Sequence, residues 1–190
     1  PYYYKVDTEG NQLPYIDEQV KLIVKNKKAI ELKAIGGDFT ICGQHLTFPN
    51  YPLYRQNTEK GNYELYLWPT DSSADLAFRF NYTTENDFKR SLFGEKKFRQ
   101  ALSLGIDRSV INNTFYFGKA RVGTYLLPED CSLWEEWMGD YYAEYDPEKA
   151  NQLLDEIGLK WDEENRYRLN PNTGEALEII LDTTQETMTR

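Results

Sequence analysis

Apolar and polar residues alternate along several stretches of this chain, and this period of two is typical of half-buried β-strands. In the first stretch, residues 15–24, the apolar positions are Val20, Leu22 and Val24. A turn signal, Glu9-Gly10-Asn11, comes before it. Strands are also predicted over residues 63–68, 76–81 and 177–181.

The pattern changes to a helical one after Glu95, where the apolar residues fall on one face of a helix. Asp107 then interrupts this helix, because its carboxylate can accept the first amide hydrogens of a second helix. That second helix is predicted to run to Phe117 and Gly118. The buried face of the first helix is formed by Phe98, Ala101, Leu102, Gly105 and Ile106.

Two further helices are predicted from their caps. Asn26 can cap a short helix that Gly36-Gly37 ends. Asp146 caps the clearest helix of the chain, with Pro147 at the first helical position and Gly158 after the last turn. Strands and helices in this order predict an α/β architecture.

Two segments stand apart from these elements. Residues 83–87 are a polar run that could mark a domain boundary. Residues 118–145 are irregular and rich in aromatic residues, and a long loop of this kind in a compact domain is often a binding loop.

The composition is that of a globular protein, with 40% hydrophobic and 28% charged residues among 190. A formal charge of -9 argues against nucleic acid as a partner, because such binding depends on clustered Lys and Arg. The acidic field could attract cationic solutes, but a solvated acidic surface that keeps the protein soluble is the favoured interpretation, and the charge carries little functional weight.

The residues do not form a recognisable catalytic or metal-binding motif. His45 is the single histidine, and the adjacent carboxylates in runs such as 162–164 are typical of solvated surfaces. The chain contains no GxGxxG, P-loop or GxSxG motif. Cys42 and Cys131 are too few for a zinc ribbon, and whether they pair stays open. We therefore expect no enzymatic activity, cofactor or metal.

Several stretches, taken in order, resemble the solute-binding proteins of ABC importers for oligopeptides and related solutes, known as family 5. Residues 1–17 are similar to the stretch that begins Asn-Pro-Tyr-Tyr-Trp in that family, and residues 76–81 to a strand that ends in Phe-Asn. Residues 97–108 resemble its Arg-Gln-Ala-Leu helix with the following Ile-Asp-Arg start, and residues 145–150 its Tyr-Asp-Pro-Glu-Lys-Ala helix.

The resemblance implies a fold of the periplasmic-binding-protein-like type II class, present here as a fragment. It implies parts of two lobes with mixed sheets and flanking helices: residues 1–77 in lobe I, residues 78–190 in lobe II and a hinge near residues 76–82. The chain is expected to be an internal piece of a longer protein and to bind solute weakly or not at all when isolated.

The function implied by the resemblance is capture of peptides or a related small solute outside the cytoplasmic membrane and delivery to the membrane permease of an ABC transporter. The protein is expected to be a monomer in the periplasm or outside the cell, held by an N-terminal lipid anchor. The aromatic residues could instead fill the core, but on this interpretation the candidate ligand-binding residues are Trp68, Phe80, Asn81, Tyr125 and Trp134.

Two alternatives stay open from the sequence. The acidic and aromatic composition is compatible with a carbohydrate-active enzyme or an accessory carbohydrate-binding domain. The same lobes could also serve a structural or signalling role against a membrane sensor. The sequence does not identify the solute, since one scaffold serves many functions.

Overall fold

The computed structural model describes residues 3–68, 76–124, 127 and 131–182. In this part of the chain the regular structure is helical, and none of the helices is long and apolar enough to cross a membrane. The helices are α1 (Lys27–Ile35), α2 (Tyr51–Gln56, preceded by a 3-10 turn at Phe48–Asn50), α3 (Thr58–Gly61), α4 (Asp87–Gly94), α5 (Lys96–Leu104), α6 (Arg108–Phe115), α7 (Glu136–Asp140) and α8 (Pro147–Glu156).

Contacts divide the chain into two compact units, Pro1–Leu65 and Tyr66–Arg190. We call them unit 1 and unit 2. The lobes expected from the resemblance, 1–77 and 78–190, concern the longer protein and stay a prediction.

Unit 1 contains α1, which confirms the helix predicted after Asn26. The side chain of Asn26 accepts a hydrogen bond from the Ala29 amide at 2.8 Å, and the helix ends at Gly36. Gly37 follows with φ +80°, and a Cβ atom there would lie 2.0 Å from the carbonyl oxygen of Gly61. The end of α1 packs directly against the end of α3, and this close contact leaves room only for glycine at position 37.

Unit 1 also contains a carboxylate with several hydrogen-bond donors. Glu31 on α1 accepts hydrogen bonds from the amide and hydroxyl of Thr47, from the side-chain amide of Asn50 and from the hydroxyl of Tyr54. Glu31 is half-buried and Tyr54 is buried. The carboxylate therefore joins α1 to the 3-10 turn and to α2.

Unit 2 is built on the packing of α5 against α8. Phe98 and Ala101 of α5 are buried, as the helical periodicity after Glu95 predicts. The prediction was wrong for Leu102 and Gly105, which are exposed, and it missed Leu104, which is 0% exposed and ends the helix. Two apolar clusters contain residues of these helices, and Leu154 of α8 packs against both. One contains Leu92, Phe93, Phe98 and Leu159, and the other contains Ala101, Leu104 and Ala150.

The predicted caps of unit 2 are confirmed. Asp107 accepts the Val110 amide at 2.9 Å, and Asp146 accepts the Lys149 amide at the same distance. The predicted end of α6 at Phe117 and Gly118 was wrong by two residues, because α6 ends at Phe115. Phe117 has φ +53°, a left-handed conformation that ends the helical path.

The sequence interpretation missed helices α2, α3, α4 and α7, and α7 lies within residues 118–145, which we predicted to be irregular. Helix α4 shows how such an error arises. We read residues 83–87 as a polar run at a boundary, but Asn86 caps α4 and accepts the Lys89 amide at 2.9 Å. Phe88, Leu92 and Phe93 face the core from this helix. Polar residues are frequent in the first turn and cap of a helix, so a polar run can mark a helix start as well as a loop.

The predicted strands are not formed in the described part of the chain, so the mixed sheets are not confirmed. Residues 15–24, 63–68 and 76–81 have no regular structure, and the pairings described are isolated antiparallel bridges. Ile23 is 98% exposed and Val20 is exposed as well. A strand satisfies its backbone through a neighbouring segment, and these stretches lack that neighbour here.

The last predicted strand, residues 177–181, is partly in contact with the core. The amide of Leu177 donates to the carbonyl oxygen of Arg168 at 2.7 Å, and Leu177 and Ile179 pack on the Phe98 cluster. Arg168 itself is buried, ion-paired with Asp155, and stacked under the Trp161 ring at 4.1 Å. This arginine fixes the C-terminal turns of unit 2 against α8.

Candidate functional site

Phe80, one of the candidate ligand-binding residues, packs against the core of unit 2. Its ring centroid lies 5.6 Å from that of Phe93 and 6.1 Å from that of Phe98. Phe80 is half-buried, so it supports the apolar cluster and keeps part of its surface at the protein exterior.

Asn81, the next candidate, has an exposed side chain in a short turn. Its side-chain oxygen accepts the amide and the hydroxyl of Thr83, each at 3.0 Å. Side chains of Asn commonly hold turns in this way. The amide nitrogen of the Asn81 side chain points to no partner that the structure describes.

The candidate aromatic residues differ in their surroundings. Trp68 is 81% exposed. Trp134 is half-buried, and the guanidinium carbon of Arg121 lies 5.2 Å from its ring centroid. Tyr125 lies outside the described residues. Within the described part of unit 2, no contact joins Trp68 or Trp134 to Phe80 or Asn81.

A second group of aromatic side chains, which we did not single out as ligand-binding, lies beside α5 and α8. The Tyr141 ring is in edge contact with Trp137 at 6.2 Å and with Tyr142 at 4.8 Å. The ammonium groups of Lys96 and Lys149 lie over the Tyr141 and Tyr142 rings, at 5.7 and 5.0 Å. Trp137 and Tyr141 are 57% and 43% exposed.

Lys96 changes the pKa of the Tyr141 hydroxyl. A hydrogen bond with Lys96 lowers the pKa of Tyr141, and the same contact raises the pKa of Lys96. Lys96 is 45 positions from Tyr141 in the sequence. The aromatic content of residues 118–145 pointed to this segment, but no local pattern could have identified the lysine partner.

The backbone of the aromatic segment is held by hydrogen bonds within unit 2. Thr124 donates from its amide to the Gly139 carbonyl oxygen at 2.9 Å, and its hydroxyl lies 3.0 Å from the Met138 carbonyl oxygen. Ser103 of α5 donates to the Tyr142 carbonyl oxygen at 2.8 Å. The loop that we predicted as a binding segment is therefore ordered where the structure describes it.

Unit 1 has a shallow open hollow of about 350 Å³ lined by Thr58, Glu59, Asn62, Tyr63 and Glu64. It contains none of the candidate residues. No group of three or more His, Cys, Asp or Glu side chains in the described residues could hold a metal ion. His45 has φ +62°, and Cys42 and Cys131 are both unpaired thiols in this structure.

Comparison with known proteins agrees with the resemblance seen in the sequence. The family model described as bacterial extracellular solute-binding proteins, family 5 Middle, matches residues 1–190. A solved structure of an oligopeptide-binding protein OppA superposes with a TM-score of 0.70 and 38% identity, over 86% of this chain and 27% of that one.

Two curated relatives are similar over most of the chain. The periplasmic alpha-galactoside-binding protein of Rhizobium meliloti (strain 1021) is 28% identical over 95% of this chain and 27% of its own length. The oligopeptide-binding protein AppA of Bacillus subtilis (strain 168) is 27% identical over 90% of this chain and 29% of its own. The chain thus spans less than a third of each relative.

Proposed function

Since this chain belongs to the bacterial extracellular solute-binding proteins of family 5, we propose that it is part of the solute-binding component of an ABC import system. The whole protein captures a peptide or a related small solute outside the cytoplasmic membrane and delivers it to the membrane permease. The single observation that carries the proposal is the family match over residues 1–190.

The structural likeness adds support at the level of the fold. At 38% identity and a TM-score of 0.70, the similarity to an oligopeptide-binding protein extends over 86% of the chain. In a protein of this kind, two lobes close around the solute by a hinge motion. The closed form differs in shape from the open form, so a permease can bind the two with different affinity.

We place the lobe boundary as the sequence resemblance implies, with residues 1–77 in lobe I, residues 78–190 in lobe II and a hinge near residues 76–82. In the complete protein the alternating stretches 15–24 and 63–68 are strands of mixed sheets. The support for this is their period of two and the exposure of side chains such as Val20, Leu22 and Trp68.

The proposed solute contacts are Trp68, Phe80, Asn81, Tyr125 and Trp134. The exposure of Trp68 and the half-buried position of Trp134 beside Arg121 support a stacking role for these rings. Phe80 contributes through its outer edge, since its inner face packs against Phe93 and Phe98.

Proteins of this family are periplasmic or extracellular. We propose that an N-terminal lipid anchor holds the complete protein at the membrane, where the permease receives the solute, and that the protein acts as a monomer. Solute capture requires these residues to make or break no covalent bond, because the affinity for the solute comes from its burial and from hydrogen bonds to it.

The carbohydrate-active alternative is not favoured, because the family is one of solute-binding proteins. Sugars enter the proposal in another way, as solutes. One relative is by name an alpha-galactoside-binding protein and another is an oligopeptide-binding protein, so both solute classes are candidates here.

Native mass spectrometry of the full-length protein tests the proposal. We expect a copurified peptide or oligosaccharide, and a dissociation constant in isothermal titration for a short-peptide mixture or for raffinose. Trp68→Ala and Trp134→Ala should each weaken that binding, whereas Phe115→Ala, which changes an exposed ring on α6, should not. A full-length protein that binds neither solute class would refute the proposal.

A further inference from the structure

Helix α6 and the segment that follows it are joined by a pair of hydrogen bonds from one side chain. The amide nitrogen of the Asn112 side chain donates to the Ala120 carbonyl oxygen at 2.8 Å, and its oxygen accepts the Ala120 amide at 3.0 Å. Asn112 thus satisfies both backbone groups of one residue, as a neighbouring strand would.

A second side chain of α6, one turn earlier, reaches the same segment. The Nε of Arg108 donates to the Gly123 carbonyl oxygen at 3.0 Å. Its Nη1 donates to the carbonyl oxygens of Ser103 and Ala143, at 2.8 and 3.2 Å. Residues four apart share one helix face, so Arg108 and Asn112 hold residues 120–123 from the same side.

The hydrogen bonds of Arg108 continue into the aromatic part of unit 2. Its Nη2 donates to the Ser103 hydroxyl at 2.7 Å, and that hydroxyl donates to the Tyr142 carbonyl oxygen at 2.8 Å. Burial lowers the pKa of Arg108, and Glu144 opposes the shift. An arginine nevertheless keeps its charge and all five donors at physiological pH.

The segment held in this way passes close to the returning chain. A Cβ atom on Gly123 would lie 3.0 Å from the Gly139 carbonyl oxygen, so the two backbones touch. Arg121, between the two anchored residues, lies over the Trp134 ring.

We propose that Arg108 and Asn112 are positioning residues, which fix residues 120–124 so that Trp134, with the Arg121 side chain over its ring, meets the solute in one geometry. This inference rests on the proposed function. Neither side chain touches the solute. Both remove conformational freedom from the segment before binding, and less freedom lost on binding gives higher affinity.

The test uses the full-length protein and a matched pair of variants on α6. Asn112→Ala removes the two hydrogen bonds to Ala120, and Asn113→Ala makes the same chemical change at the next, exposed position. Arg108→Met is a second test variant. Binding is measured by isothermal titration with a mixture of tri-, tetra- and pentapeptides and, separately, with raffinose.

Trypsin reports on the segment itself, because Lys119 and Arg121 are cleavage sites inside it. Losing one or two hydrogen bonds should accelerate cleavage at these sites about five- to thirtyfold in Asn112→Ala, with Asn113→Ala unchanged. Saturating solute should slow this cleavage again, since the solute binds the native conformation, in which residues 120–124 are held in place. In Asn112→Ala, faster cleavage at these sites with an unchanged melting temperature would distinguish ordering of this segment from a role in folding of the whole protein.

The dissociation constant should rise about three- to tenfold in Asn112→Ala and more in Arg108→Met, because apparent affinity falls with the fraction of competent conformation. Thermal melting shows whether Arg108→Met still folds. If it does not, the binding and cleavage of Asn112→Ala alone decide whether the inference holds. Wild-type affinity in Asn112→Ala, or cleavage equal to that of Asn113→Ala, overturns the inference. Failure of the wild-type protein to bind either probe overturns the proposed function, and this inference with it.

Discussion

The carboxylate of Glu31 offers the sharpest test of how unit 1 is held together. One oxygen of Glu31 accepts the Thr47 hydroxyl at 2.7 Å, the Tyr54 hydroxyl at 2.8 Å, and the Thr47 amide and Asn50 side chain at 3.2 Å. The two hydroxyl contacts are short and charge-assisted, and bonds of that kind are worth about 1.5 kcal/mol or more each.

The expected loss of local stability in Glu31 variants follows from these two hydrogen bonds. Glu31→Ala removes both and should cost about 3 kcal/mol in local stability, whereas Glu31→Gln keeps an acceptor of half the strength and should cost about 1.5 kcal/mol. A tenfold change corresponds to about 1.4 kcal/mol, so exchange of the Thr47 amide should accelerate about tenfold in Glu31→Gln and about a hundredfold in Glu31→Ala.

Hydrogen–deuterium exchange of the segment that contains Thr47 measures this effect. Glu59→Gln is the control, because it removes the same charge from an exposed position of unit 1. Equal exchange of Thr47 in Glu31→Gln and in the wild-type protein would show that the carboxylate does not hold the 3-10 turn.

The same carboxylate gives a pH dependence of known sign. Burial raises the pKa of Glu31, but hydrogen bonds from Thr47, Tyr54 and Asn50 outweigh it and lower the pKa below its ordinary value. A lowered folded-state pKa contributes stability that is complete above the unfolded pKa, about 4.3, and is lost as the pH falls through the folded pKa. The exchange difference between wild type and Glu31→Gln should therefore shrink at acid pH.

Three further predictions concern unit 2. Phe98→Ala, at a position 1% exposed, should lower the free energy of unfolding in urea by about 3–5 kcal/mol, and Phe115→Ala, at an exposed position, by less than about 0.5 kcal/mol; similar losses would contradict the assigned core. Asp146→Ala should cost about 1 kcal/mol by removing a helix cap, and Asp146→Ser should restore most of it; equal stability of the two would argue against the cap. Lys96→Met should raise the pKa of Tyr141, followed by NMR of labelled tyrosine rings, and an unchanged titration would exclude the contact.

The sequence predicted the helices that carry their own start signals. Asn26, Asp107 and Asp146 each cap the helix that follows, because a cap uses a side chain and an amide only a few residues apart. Helix α4 carried the same signal in Asn86. We missed it because a cap and first turn are polar, as a loop is.

The sequence identified the segment that contains the candidate aromatic residues, but not the side chains from other elements that hold this segment in place. The density of aromatic residues singled out positions 118–145. The side chains that hold this segment, Arg108 and Ser103, come from other elements, and Lys96 reaches Tyr141 from 45 positions away. Such contacts depend on how helices pack, and residue spacing does not encode them.

The same distinction between local and distant hydrogen-bond partners explains why the predicted strands are not formed. A helix closes its hydrogen bonds within its own segment, so capping and periodicity are enough to predict it. A strand closes them with a segment elsewhere in the chain, and alternation indicates only which side chains would be buried once that partner is present. Residues 15–24 have the alternation and the exposed apolar side chains of a strand without its neighbour. Pairing of residues 15–24 in the full-length protein would therefore slow exchange of their backbone amides and leave the amides of α5, whose partners are already internal, unchanged.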